Sequence, residues 1–184
     1  MGGLVALVLS FVLGAGSASA SDEREVAKEY EIKAALLYRF AKSTTWPKDA
    51  FADKSSPFVF GVMGEDPFGK KLEETLKRRL IKGRKIRVRR PEKLEEVLGC
   101  HLLFVAPAAI KRLPKILKAT REQPTLVAGD TPRFAHRGGA INLYEYKGVI
   151  RFEVNPKAAK RAGLILDEKL LQVARIIKTE DEER

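Results

Sequence analysis

Two histidines, one cysteine and a scatter of carboxylates are the residues that could carry metal, thiol or acid–base chemistry in this chain. His101 sits inside the apolar run His101-Leu102-Leu103-Phe104-Val105, where a hydrogen-bonded core histidine is the simplest reading. His136 lies in a loop between Arg133 and Arg137. Without nearby thiols or a carboxylate pair, the two make a poor metal or general acid–base set. Cys100 is the sole cysteine, which excludes an intrachain disulfide and a metal site built on thiolates. Gly64-Glu65-Asp66-Pro67-Phe68-Gly69 has two glycines but lacks both the Lys-Ser/Thr ending of a phosphate loop and a dinucleotide pattern. It reads as a strand-to-helix turn, with Asp66 as cap and Pro67 at the first helical position. No catalytic constellation, metal set or cofactor motif stands out.

Three surfaces remain as candidates. In parallel α/β sheets, ligands sit in the crevice at the carboxyl ends of the strands. Here those ends carry Glu65, Asp66 and Phe68 after one strand and Asp130 after another. The second surface is the polar face of a hairpin near the end of the chain, with Asn142, Tyr144, Arg151 and Glu153. A solvated or helix-covered face with cross-strand pairs explains it equally well. The third is the basic run from Lys77 to Lys93, which has the character of a protected sheet edge, or else of an anionic docking patch.

The elements that must position these residues follow from periodicity. Val26, Tyr30, Ala34, Leu37 and Ala41 recur at helical spacing with Phe40 beside them, and Ile32, Ala35 and Leu36 widen the stripe. Glu29 and Lys33 are placed on the wetter side. The helix must stop near Ser43, because Trp46 precedes a proline. Trp46 itself is expected to plug the core beneath this helix, with a ligand or partner contact as the alternative. Residues 57–63, 101–105 and 124–128 are short apolar runs typical of strands buried on both faces, and 84–90 alternates as a half-exposed strand. Helices are predicted from Asp66 to about Leu80 and over Pro91–Leu98. Another runs from Ala108 to Thr120, kinked or restarted at Pro114. Lys147-Gly148 is a two-residue hairpin turn that pairs Leu143 with Phe152 and Ile141 with Val154 on one face. On the other face Asn142 meets Glu153 and Tyr144 meets Arg151. A last helical region opens at Pro156, breaks at Gly163, and packs Leu170, Leu171, Val173, Ala174, Ile176 and Ile177 inward. The expected architecture is a single three-layer α/β/α domain, with a mostly parallel sheet and an antiparallel C-terminal hairpin.

Residues Gly3 to Leu13 are almost wholly apolar and lead into Ala18-Ser19-Ala20, the pattern of a cleaved secretory signal. Residues 1–20 are therefore read as a signal peptide, 21–184 as the domain, and 179–184 as a frayed charged tail. The formal net charge is +11. Export argues against nucleic acid as the partner of that charge. Anionic lipid, envelope polymer or an acidic protein surface are better candidates, and a plain soluble basic surface is better still.

Several stretches, taken in order, resemble one family. Tyr30 to Lys42 closing on Trp46-Pro47 is similar to the opening helix of YfiR-like periplasmic proteins. Gly64 to Gly69, Cys100 to Phe104, Val127-Ala128-Gly129-Asp130, Gly138 to Asn142, Arg151 to Asn155 and Lys169 to Arg175 fall in the family's order. The resemblance implies a non-catalytic periplasmic regulator. Such a protein binds the periplasmic domain of an inner-membrane diguanylate cyclase or sensor kinase, and so controls cyclic di-GMP signalling and biofilm formation. An outer-membrane-associated partner, a homodimer and small-molecule binding are implied as well. The lone Cys100 departs from the disulfides of the best-known member. A periplasmic small-ligand receptor using the strand-end crevice is the rival expectation.

Overall fold

The computed structural model describes residues 17–177. The signal peptide expected over 1–20 falls mostly, and the charged tail over 179–184 entirely, outside the described residues.

An eight-stranded sheet has the order β10-β8-β7-β6-β5-β2-β4-β3. Its inner strands are β2 (Phe58–Met63), β5 (Leu102–Val105) and β6 (Leu126–Gly129), and every residue in them is buried. Beside β2 runs β4 (Arg84–Arg89), also parallel, with Ile86 and Val88 half-buried between exposed Lys85 and Arg87. Beyond β4 lies the antiparallel two-residue strand β3 (Leu80–Ile81). On the other side, β7 (Ile141–Tyr146) pairs parallel with β6 and antiparallel with β8 (Val149–Val154). The hairpin pairing is the expected one in every position, because a slip of one residue would drive Asn142 and Glu153 into the main core. Lys147 and Gly148 both take positive φ, 54° and 74°, as a two-residue turn between twisted strands requires.

Alternate strand residues feed two cores, and these define the three layers. Phe58, Phe60, Val62, Leu102 and Phe104 face the helix α1 (Ser17–Ser43) together with α2 (Lys70–Leu76), α4 (Pro156–Arg161) and α5 (Glu168–Gln172). Val59, Met63, Leu103, Val105 and Val127 face α3 (Leu113–Ala119) and Phe134. Pro114 marks the point where the 3-10 segment Pro107–Arg112 gives way to α3. The end of α1 is fixed by Thr44, whose hydroxyl donates to the Phe40 carbonyl at 2.7 Å. There β1 (Thr44–Thr45) pairs with β9 (Ile165–Leu166) as a separate small sheet. Trp46 is buried beneath, edge-on to Phe58 at 5.1 Å, with its indole N–H donating to the Pro124 carbonyl.

Four expectations need correction. The first buried turn of α1 begins at Tyr30: Val26 is half-exposed because the preceding turns are exposed, and Ile32 is half-exposed because it lies on the outer side of the helix, away from Lys33, Ala34 and Leu37. The helix after Asp66 starts only at Lys70 and stops at Leu76, so Leu80 belongs to β3 and is 49% exposed. Asp66 caps a turn instead, its Oδ1 accepting from the Phe68 N–H at 2.8 Å. Over Pro91–Leu98 only a 3-10 turn forms, Glu95–Val97. The final helix ends at Gln172, leaving Val173 and Ile176 exposed, while β10 (Arg175–Ile176) joins β8 in parallel.

Candidate functional site

The opening helix lies across the carboxyl ends of β2 and β6 and fills the space between them. Tyr30 packs edge-on to Phe68 at 5.3 Å, and Phe68 packs on Phe104 at 4.8 Å. The Tyr30 hydroxyl donates to Asp130 Oδ2 at 2.7 Å, and the Lys33 ammonium reaches the same oxygen at 2.6 Å. Lys33 Nζ also pairs with Glu29 Oε1 at 2.6 Å and sits 4.3 Å from the centre of the Tyr30 ring. The side chains of Lys33 and Asp130 are 5% and 3% exposed, so this ion pair is withdrawn from water. Lys33 is therefore not on the wetter side of the helix, as its charge suggested. Its position was legible after all, because it falls three residues after Tyr30 and four before Leu37, inside the apolar stripe.

The strand-end candidates take different roles. Phe68 is buried in the main core, and Glu65 is exposed. Asp66 Oδ2 accepts from Arg90 at 2.7 Å, and Arg90 also grips Glu73 Oε1 at 2.6 Å, tying the turn to α2. That grip holds the Glu73 carboxyl below its usual range, chiefly through the hydrogen bond. Asp130 is linked to Phe68 through Tyr30, which bonds the one and packs on the other. Burial, followed by the hydrogen bond and charge of Asp130, pushes the Tyr30 phenol far above its ordinary pKa. Tyr30 is thus a fixed hydrogen-bond donor.

On the hairpin, alternation puts Asn142, Tyr144, Arg151 and Glu153 on one face, opposite Ile141, Leu143, Phe152 and Val154. The two ends of that face differ. Asn142 and Glu153 are buried and joined by a 3.0 Å hydrogen bond from the amide to Oε2, while Arg175 approaches Glu153 Oε1 at 3.3 Å. Tyr144 is half-exposed and Arg151 exposed, with the Arg151 guanidinium 5.3 Å from the centre of the exposed Tyr146 ring.

Both potential acid–base or nucleophilic groups of the interior are quiet. Val59 N–H donates to His101 Nδ1 at 2.9 Å, so the proton resides on Nε2, which faces the Ala50 carbonyl at 2.9 Å. Phe51 and Phe58 stack on the ring at 4.3 and 5.0 Å. Desolvation lowers the His101 pKa and keeps it neutral. Burial pushes the Cys100 thiol up to about 11, so it is no thiolate at neutral pH. Among the described residues, no cluster of three or more His, Cys, Asp or Glu side chains could hold a metal ion. No helix among them is long and apolar enough to cross a membrane.

The fold is a three-layer α/β domain with its strand ends closed by the opening helix and with Tyr144 and Arg151 on the outer part of the hairpin face. The family model described as YfiR/HmsC-like matches residues 30–175, and the chain belongs to that family. The match begins at Tyr30, where α1 becomes buried. No curated protein matches the chain. Among solved structures, the ABC domain in complex with L-Trp from Streptococcus pneumonia is similar at 11% identity and a TM-score of 0.48. That match covers 65% of this chain and 55% of that one, a likeness too loose to inform function.

Proposed function

We propose that this protein is an exported, non-catalytic regulator. It docks on the periplasmic domain of a membrane signalling enzyme, a diguanylate cyclase in the leading case, and controls cyclic di-GMP output and biofilm formation. The family match over residues 30–175 carries the reading, since it spans the whole folded body. The hairpin face supports it. Tyr and Arg dominate binding hot spots, and here Tyr144, Tyr146 and Arg151 share one exposed side of a rigid hairpin. Asn142 and Glu153 form the buried footing beneath them.

A regulator of this kind works by binding its partner more tightly in one signalling state than in another, because equal affinity shifts nothing. The test is calorimetric titration against the periplasmic domain of a membrane diguanylate cyclase or sensor kinase from the same genome. Tyr144→Ala combined with Arg151→Ala should weaken binding by more than about tenfold, roughly 1.4 kcal/mol, with the melting temperature unchanged. Unaltered affinity in the double variant removes the hairpin from the interface and turns attention to the surface around Glu65 and Asp66.

A further inference from the structure

A cleft of about 300 Å³ opens at the end of the sheet opposite the strand-end crevice, between α3 and α4 and below the amino ends of β6 and β7. Its volume is at the small end of the range for ligand pockets. The walls are mostly apolar, formed by Leu117, Val127, Ala140, Ala158 and Ala162; Thr120 and Thr125 also line them, with their hydroxyls donating to the Ile116 and Cys100 carbonyls. Gly138 keeps the mouth open: it sits at φ +99°, and a Cβ there would press on Leu117 Cδ1 at 3.0 Å. Three cations line the same cleft from separate segments: Lys118 in the last turn of α3, Arg121 just after it, and Arg161 in the last turn of α4. Among the described residues, no carboxylate lines it. The side chains of the three make no hydrogen bond, ion pair or ring contact with another described residue.

Charge and shape together select the ligand. Three uncompensated cations above an apolar floor suit a small anion with an apolar body, and they disfavour a zwitterion, whose ammonium would find no acidic partner. The carbonyl ends of α3 and α4 oppose an anion, but a helix end contributes only about half a negative charge. Three full positive charges outweigh two such ends. We infer that this cleft binds a small amphipathic carboxylate, its carboxylate held by Lys118, Arg121 and Arg161 and its apolar part against Leu117, Ala158 and Ala162. The site is separate from the hairpin face, so it is a ligand input distinct from the docking surface.

The test is isothermal titration of the full chain with sodium octanoate, with octanol and inorganic phosphate as controls. Octanoate is expected to bind one per chain with a Kd of about 1 mM or tighter, and each control at least tenfold more weakly. The pair Arg121→Glu and Arg161→Glu should lose binding by more than about tenfold. Both residues are exposed, so the melting temperature should hold. Amide shifts on titration should move at Gly138, Ala158 and Ala162 and stay still at Tyr144 and Arg151. Several outcomes overturn the inference: no octanoate binding, equal binding by the charge-reversed variant, or shifts centred on the hairpin. Equal binding of octanol removes the role of the cations, and equal binding of phosphate removes the role of the apolar floor.

Discussion

At the scale of single residues, Lys33 and His101 are two buried ionisable groups with opposite outcomes, one charged and paired, the other neutral. A buried ion pair contributes little when whole, yet removing one partner strands the other in low dielectric at a cost of about 3–5 kcal/mol. Lys33→Met is therefore expected to destabilise the fold by roughly that amount in chemical denaturation, and Lys33→Met with Asp130→Asn to recover part of it. A single variant within about 0.5 kcal/mol of wild type would show that the pair is open to water. His101 makes a pH prediction. Its folded pKa lies below the unfolded value of about 6.5, so between the two the unfolded chain binds more protons. The stability linked to this residue is complete above that unfolded value and falls as pH drops through it. The lowered carboxyls of Asp53 and Glu73 lose their contribution only further down, in the carboxylate range. Melting temperature should thus decline from about pH 7 to pH 5 in wild type, and the decline should flatten in His101→Asn. Equal slopes would assign that window to other groups. The histidine's quiet role was legible from its apolar strand. The Lys33–Asp130 bond was not, because periodicity places a residue on a face without naming what it meets 97 positions away.

At the scale of elements, stability rests on α1. Leu37, fully buried against the sheet, has no room to be replaced by relaxation, so Leu37→Ala should cost about 2–5 kcal/mol. Loss of less than about 0.5 kcal/mol in denaturant titration would mean that the helix faces another way. The inner strands, the hairpin register and the break at Pro114 were all legible, because each is dictated by a local rule: continuous apolar runs, alternation, and a missing N–H. Two of the failures share a cause. From Asp66 to Leu80 and from Gly163 to Ile177 the apolar spacing is helical in places, but the chain must turn back to reach a sheet edge, at β3 in one case and β10 in the other. Tertiary pairing overrides propensity there. The two close approaches around Phe134 were also hidden: a Cβ on Gly129 or Gly139 would lie 2.5 or 2.1 Å from its ring, a requirement that appears only once the loop folds onto the sheet.

At the scale of the whole molecule, the proposed docking separates steering from grip: the chain carries a net charge of +11, and the basic strand and the hairpin are different surfaces. The basic strand β4 lies near one edge of the sheet and the hairpin face near the other, with β6, β5 and β2 between them. Not every cation on β4 is free to attract a partner. Arg89 is bonded to the carbonyls of Glu96 and Leu98, and Arg84 donates to those of Asp53 and Ser56. Lys85 and Arg87 are exposed and make no side-chain bond to another described residue. Exposed charges away from a contact act over roughly a Debye length, about 8 Å at physiological salt, and change encounter more than residence. Lys85→Glu with Arg87→Glu should therefore slow association with an acidic periplasmic partner several-fold and flatten its salt dependence, with the dissociation rate nearly constant. Tyr144→Ala with Arg151→Ala should do the reverse, speeding dissociation. Surface plasmon resonance at two salt concentrations separates the two effects. If the β4 variant accelerated dissociation as much as the hairpin variant did, the basic strand would itself lie inside the interface, and the division between steering and grip would fail.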